Sequence, residues 1–185
     1  CRFIALIHAK EGLNMSLRAI TVSTCGIIPK IEAFGRAFPQ VNLSISLHAS
    51  NDEIRSRLMP INRKYPMSGL LEACRRHTEV TGRRITFEYA LIKGVNDKQS
   101  HAEELAHKLR HMLCHVNLIP LNPVSEREYA PVNRQIAETF AKVLEDKGIQ
   151  TTNRRELGAD IDGACGQLRL RTLEKSEQVD LEFTI

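Results

Sequence analysis

A chain of 185 residues with an ordinary balance of apolar and charged side chains can bury a real core, as one domain or as part of a larger one. No stretch approaches the length of a membrane span, and the apolar start at residues 3–7 is too short and wrongly flanked for a signal peptide, so the expected compartment is the cytoplasm. Five cysteines, at 1, 25, 74, 114 and 165, are odd in number and widely spaced, which fits reduced thiols, and the net charge of +4 permits a polyanionic partner although its basic doublets are scattered.

In chain order, residues 19–24 read as a strand running into Cys25-Gly26, and Pro29 opens a short helix that lasts to about Phe38. Residues 42–48 form the next strand. Ser50 or Asn51 is placed to cap a helix over 52–59, whose Asp52 and Glu53 suit a first turn. Met67, Leu70, Leu71, Cys74, His77 and Val80 recur at helical spacing, which predicts a helix over 68–81 with its apolar stripe against a sheet.

Residues 84–92 are rich in aromatic and β-branched side chains and read as a third strand, followed by the turn Gly94-Val-Asn-Asp97. Ala102, Leu105, Ala106, Leu109 and Leu113 mark the next helix. A fourth strand spans 116–119 and closes at Pro120. After a proline-bearing loop, Ile136, Ala137, Phe140, Val143 and Leu144 define a helix that stops at Gly148. Residues 149–153 are a fifth strand, and 179–184 add a small terminal one.

Strands that alternate with amphipathic helices imply parallel β/α architecture. Active groups in such folds gather at the carboxyl ends of the strands. The segments expected at those ends are 23–26, 46–48, 93–96, 120–123 and 154–165, which are polar, glycine-bearing or proline-fixed, whereas the strand bodies read as apolar.

No phosphate-binding glycine loop and no close-spaced cysteine cluster is present. Cys74-x-x-His77, His107-x-x-x-His111 and Cys114-His115 have metal-like spacing but too few convergent partners, so structural or surface roles are preferred. Ser23 and Ser46 lack the elbow context of an activated hydroxyl. The glycine-punctuated loop at 158–168, with two carboxylates and Cys165, has the composition of a site.

Several of these segments carry a resemblance. Ile20-Thr-Val-Ser-Thr-Cys-Gly-Ile-Ile-Pro29, Ser44-Ile-Ser-Leu-His-Ala49, Ile61-Asn62, Phe87-Glu-Tyr89, Gly94-Val-Asn-Asp97, Val116-Asn-Leu-Ile-Pro-Leu-Asn-Pro123 and Gly158-Ala-Asp-Ile-Asp-Gly-Ala-Cys-Gly-Gln-Leu168 resemble the radical S-adenosylmethionine RNA methyltransferases that act on adenine. The likeness runs from about residue 11 to about 171, and the wording of the motifs favours the enzymes that methylate C2 over their C8-methylating relatives.

The resemblance implies a fold, cofactors and partners. The fold is α/β, part of a TIM-like partial (βα)6 barrel, with residues 1–185 as its carboxyl-terminal portion and a methyl-carrier loop at about 155–171. S-adenosylmethionine and a [4Fe–4S] cluster are the implied cofactors; 23S rRNA, tRNA and a reductant protein are the implied partners. By match, Cys165 carries the methyl group as a thioether. Ser23, Ser46, Leu47, His48 and Asn122 help seat S-adenosylmethionine. A second S-adenosylmethionine, cleaved at the cluster, yields the radical that activates that thioether, which asks for a thiol on a mobile loop, as Gly158, Gly163 and Gly166 allow. Asp160 and Asp162 either contact substrate or stabilise the turn. Arg154, Arg155, Arg169 and Arg171 are candidates for RNA phosphate contacts that position without selecting sequence.

The departure from the family is large. Its Cys-x-x-x-Cys-x-x-Cys cluster motif does not occur in this sequence, nor do the Gly-Glu-Pro segment, the second mechanistic cysteine or the small amino-terminal RNA-binding domain. The chain therefore resembles the carboxyl-terminal half of such an enzyme, with no metal ligands of its own. It is expected alone to bind no cluster, to be inactive, and to expose an open parallel edge. The competing expectation is a non-catalytic RNA-binding or scaffold module, recognisable by salt-dependent RNA binding without chemistry.

Overall fold

The computed structural model describes residues 1–121 and 129–154. Five strands, β1 (Thr21–Thr24), β2 (Asn42–Ser46), β3 (Ile85–Leu91), β4 (Cys114–Pro120) and β5 (Thr151–Asn153), form one sheet in the order β1-β2-β3-β4-β5. All four pairings are parallel. The helices are α1 (Arg2–His8), α2 (Ile28–Ala37), α3 (Asp52–Leu58), α4 (Met67–Thr81), α5 (Gln99–Leu109) and α6 (Arg134–Asp146). The expected β/α alternation is therefore the observed one. The expected strand at 179–184 lies outside the described residues. Among those residues no helix is long and apolar enough to cross a membrane.

Local chemistry sets several of the boundaries. Asn51 caps α3, its side chain accepting the Ile54 amide at 3.0 Å, and Asn133 caps α6 by accepting the Ile136 amide at 2.8 Å. Gly82 ends α4 at φ 63°, a conformation that costs a side chain energy but not glycine. Two residues of the expected apolar stripes fall elsewhere: Val80 is 69% exposed in the last turn of α4, and Leu113 is exposed beyond the end of α5.

The strands bury one face. Leu43, Ile45 and Leu47 from β2 and its end, Ile85, Phe87 and Tyr89 from β3, and Val116 and Leu118 from β4 join Leu70, Leu71, Leu105, Phe140 and Leu144 from the helices in one core. Because successive residues of a strand point to opposite faces, the intervening residues share the other side. Those residues are Ser23, Ser44, Ser46, Thr86, Glu88 and Asn117, brought into rows by the register Ser23↔Ser44↔Thr86 and Ser46↔Glu88↔Asn117. The strand bodies are thus not apolar as expected from the sequence; they alternate. Parallel sheets covered on both faces read as continuous apolar runs. A polar second face instead fits the lining of an open barrel.

Helix α1 is not among the elements expected from the sequence. Its Ile4 packs with Ile20 and Val41 in a small satellite cluster beside β1, while Phe3 and Leu6 remain exposed. Among the described residues β1 stands at one edge of the sheet.

α2 and α4 approach closely at Gly35, where an added Cβ would lie 2.7 Å from Nδ1 of His77. His77 is itself buried, so it has no room to withdraw. Gly35→Ala should therefore lower stability by about 1–2 kcal/mol in denaturant unfolding, overpacking outweighing the roughly 1 kcal/mol that alanine gains in a helix interior. An unchanged midpoint would show that the two helices slide apart freely.

Candidate binding rim at the carboxyl ends of the strands

β2 ends at Ser46, but β3 continues to Leu91, so the β3 groups that face β2 beyond that level need other partners. The chain after β2 supplies them. The Glu88 carbonyl accepts both the Leu47 and the His48 amides, at 3.0 and 3.1 Å. His48 then turns into the left-handed region at φ 57°, and its Nδ1 accepts the Ala90 amide at 3.0 Å. Asn96, fully buried in the turn after β3, donates from Nδ2 to the Ala90 carbonyl at 2.7 Å and to the His48 carbonyl at 2.9 Å, while its Oδ1 accepts the Ile92 amide at 2.7 Å. Two side chains thus complete the ladder where the backbone stops.

A buried arginine fixes the neighbouring strand ends. Arg55 of α3 is fully buried and donates from Nη2 to the carbonyls of Cys25 and Ser46, at 2.8 and 3.2 Å, the residues just past β1 and at the end of β2. Its Nη1 donates to Oδ1 of Asn62 at 2.9 Å. Asn62 in turn donates to the Asp52 carboxylate at 2.8 Å, and that same carboxylate oxygen accepts the Met67 amide at 2.7 Å. The positive charge therefore reaches a negative one through an amide relay. Burial pulls the Arg55 pKa down from its ordinary value, opposed by the nearby Cys25, Asp52 and Cys74. Gly26 passes beside this group at φ 98°, with Leu70 and Arg55 where a Cβ would go.

The loop after His48 is anchored from the outside. One oxygen of the Glu104 carboxylate accepts Ser50 Oγ at 2.7 Å and Asn51 Nδ2 at 2.8 Å; the other accepts Lys108 Nζ at 2.6 Å. On the polar face of the sheet, Glu88 accepts Ser44 Oγ at one carboxylate oxygen and Asn117 Nδ2 at the other, both at 2.8 Å. A preorganised carboxylate on a polar floor and fixed strand ends above it make a site for a polar ligand.

The sequence-derived residues distribute as follows. Ser23 in β1 and Ser46 at the end of β2 share the polar face, whereas His48, two residues past β2 and at φ 57°, sets its ring against the Ala90 amide of β3. Leu47 is fully buried in the core, so only its backbone is available to a ligand. Asn122 and Cys165, with the loop at 158–168, lie outside the described residues. His48 lines a cavity of about 270 Å³ together with Met59, Ala90, Ile92, Leu121 and Tyr129. Burial first, then the Arg55 charge, lowers the His48 pKa to about 4, with Glu88 opposing, so its imidazole is neutral at neutral pH.

Two of the basic doublets serve structure. Arg76 pairs with Glu32 at 2.6 Å and Glu72 at 3.1 Å, and Arg75 donates to the Lys108 carbonyl at 2.7 Å. Arg83 and Arg84 precede β3, at the opposite end of the sheet from the rim, and bond to Asn42 and Gln150. Arg154 directly follows β5 at the rim side, its amide on the Leu118 carbonyl. Cys74 is buried in α4, its thiol pushed up to about 12 chiefly by burial, and His77 is buried one turn on. Among the described residues no group of three or more His, Cys, Asp or Glu could hold a metal ion.

Arg55, Asn62, Asn96, Glu88 and Glu104 were not singled out from the sequence, although Asn62, Glu88 and Asn96 lie within segments that carried the resemblance. For Glu88 the available signal is a lone acidic residue in an otherwise largely apolar strand; Arg55 and Glu104 stand among other charged residues and carry none.

Known proteins share much of this sequence and its fold. The chain is similar to the probable dual-specificity RNA methyltransferase RlmN of Thermoanaerobacter sp. (strain X514), 52% identical over 174 residues that cover 94% of this chain and 51% of that protein. It is 54% identical over 169 residues to the probable dual-specificity RNA methyltransferase RlmN of Bacillus velezensis, covering 91% of this chain and 47% of that one. The crystal structure of a radical SAM methyltransferase from Sphaerobacter thermophilus superposes with a TM-score of 0.87 at 50% identity, covering 90% of this chain and 49% of that one. The chain spans about half the length of the curated relatives it matches. No family model matches it.

Proposed function

Since the chain belongs to the family of RlmN-type radical-SAM RNA methyltransferases, we propose that it works as the carboxyl-terminal part of a complete enzyme that methylates C2 of adenine in 23S rRNA and tRNA. Residues 1–185 contribute barrel strands and, at about 155–171, the methyl-carrier loop. The observation that carries the reading is the polar rim, where Ser23 and Ser46 share one face of the sheet and His48, just past the end of β2, is held against β3 and lines a cavity. Hydroxyl, imidazole and amide groups suit the ribose, carboxylate and ring edges of S-adenosylmethionine.

Within that reading this chain's own residues have definable tasks. Ser23, Ser46, the Leu47 backbone and His48, with Asn122, seat S-adenosylmethionine. The Cys165 thiolate sulfur attacks the methyl carbon of the sulfonium, forming its S–C bond as the sulfonium C–S bond breaks. S-adenosylhomocysteine leaves, and the thiol proton goes to solvent. Arg154 at the rim is a candidate to hold RNA phosphate and position an adenine drawn out of its surroundings. A [4Fe–4S] cluster, the source of reducing electrons in this reading, does not fit the residues present: the sequence has no Cys-x-x-x-Cys-x-x-Cys, and no metal-holding group occurs among the described residues. Its ligands belong to another part of the complete enzyme, where the reductant protein would deliver its electrons.

Protease digestion and mass spectrometry of the complete enzyme after incubation with S-adenosylmethionine test the reading. The peptide containing Cys165 should carry one added methyl group, and treated 23S rRNA and tRNA should contain 2-methyladenine. RNA that binds in a salt-dependent way but stays unmethylated would instead mark a binding module.

A further inference from the structure

The Ala90 amide decides which hydrogen-bonding group His48 offers its ligand. A backbone N–H can only donate, so the Nδ1 it meets at 3.0 Å holds a lone pair. In a neutral ring the hydrogen is then on Nε2. With the ring turned over, a carbon would face the amide and leave that N–H without an acceptor, because β2 has already ended at Ser46. The main chain is equally fixed: the His48 amide is on the Glu88 carbonyl and its carbonyl on Asn96. Nε2 makes no hydrogen bond among the described residues, and the ring lines a cavity whose other walls are Leu58, Met59, Ala90, Ile92, Leu121 and Tyr129.

We propose that the Ala90 amide locks His48 as its neutral Nε2–H tautomer, making it a permanent hydrogen-bond donor to a lone-pair acceptor of the bound S-adenosylmethionine rather than a group that transfers protons. The ligand identity rests on the reading above; the tautomer does not. The charged groups acting on the ring are the Arg55 guanidinium from α3, which disfavours a second proton, and the Glu88 carboxylate from β3, which favours one. Tyr129 is the other titratable group of the cavity wall. Burial of the ring, and after it the Arg55 charge, outweighs Glu88, so the balance lies with the neutral ring, whose pKa is lowered to about 4.

Two measurements test the proposal. In ligand-free protein labelled with ¹⁵N-histidine, long-range ¹H–¹⁵N correlation should give His48 one pyridine-like nitrogen at Nδ1 and one protonated nitrogen at Nε2, unchanged from pH 8 to pH 6. A proton on Nδ1, or a doubly protonated ring at pH 6, would overturn the lock. His48→Asn keeps an acceptor for Ala90 and tolerates the positive φ, but is too short to donate into the cavity. It should retain the wild-type melting temperature while equilibrium binding of S-adenosylmethionine to the complete enzyme weakens about tenfold, the loss of one hydrogen bond. Wild-type affinity in a folded His48→Asn variant would show that the ring only finishes the ladder. Failure of the wild type to bind S-adenosylmethionine would instead remove the functional reading, and the ligand with it, while the tautomer stands or falls on its spectrum.

Discussion

Replacing Cys165 with alanine in the complete enzyme is expected to abolish methyl transfer to RNA, a fall of at least about 10⁴-fold, as when a covalent catalyst loses its nucleophile. In the proposed sequence the methyl group rests on the Cys165 sulfur before it reaches the base, and alanine has no lone pair to accept it. A serine would fare little better, since its hydroxyl is scarcely ionised at neutral pH and is a poor nucleophile without an adjacent base. Binding of S-adenosylmethionine should survive both changes. The described residues assigned to that task are held by the ends of β1 and β2, by Arg55 and by Asn96. Chromatography of digested RNA for 2-methyladenine, beside calorimetric binding of S-adenosylmethionine, separates the two effects. Persisting product with bound ligand would remove Cys165 from its role as carrier.

The elements were largely legible because their signals are local. An asparagine at the head of α3, a glycine at the end of α4 and period-3.6 apolar spacing in α4, α5 and α6 each act within a turn or two of themselves. The rim was legible for a similar reason, since parallel β/α order alone puts strand ends together. What the sequence concealed is set by distant partners. Arg55 sits among Asp52, Glu53 and Arg57 in a helix that reads as a charged surface, and only folding brings it beneath Cys25, thirty positions back. Glu88 is one acidic residue in an aromatic strand until Ser44 and Asn117 flank it. The polar face was present as alternation in β3 and β4, but the apolar member of each pair dominated the reading. Helix α1 escapes because seven residues carry little periodicity, and among the described residues it packs in a satellite cluster.

Arg55→Met is expected to cost about 4 kcal/mol of folding stability, a large share of the 5–15 kcal/mol typical of a domain. Methionine fills much of the same space, so little of this loss is cavity. The loss comes from what the guanidinium leaves behind: the carbonyls of Cys25 and Ser46 and Oδ1 of Asn62, which the arginine now satisfies in the interior. Each buried acceptor without a donor costs about 1–3 kcal/mol. Arg55→Lys should recover part of the loss, because an ammonium supplies donors but not the planar fork that spans two strand ends and an amide together. The unfolding midpoint should fall with the denaturant slope unchanged, and a loss below about 1 kcal/mol would mean that water reaches those carbonyls. A buried ion is a poor device for stability alone, since a well-packed apolar group with apolar neighbours often does as well. Its use here is geometric: Cys25 and Ser46 stand where β1 and β2 run out of ladder, next to the residues proposed to seat the ligand. Strand ends left to themselves fray; one side chain bonded to both keeps Ser46 and the backbone leading to His48 in register with β1.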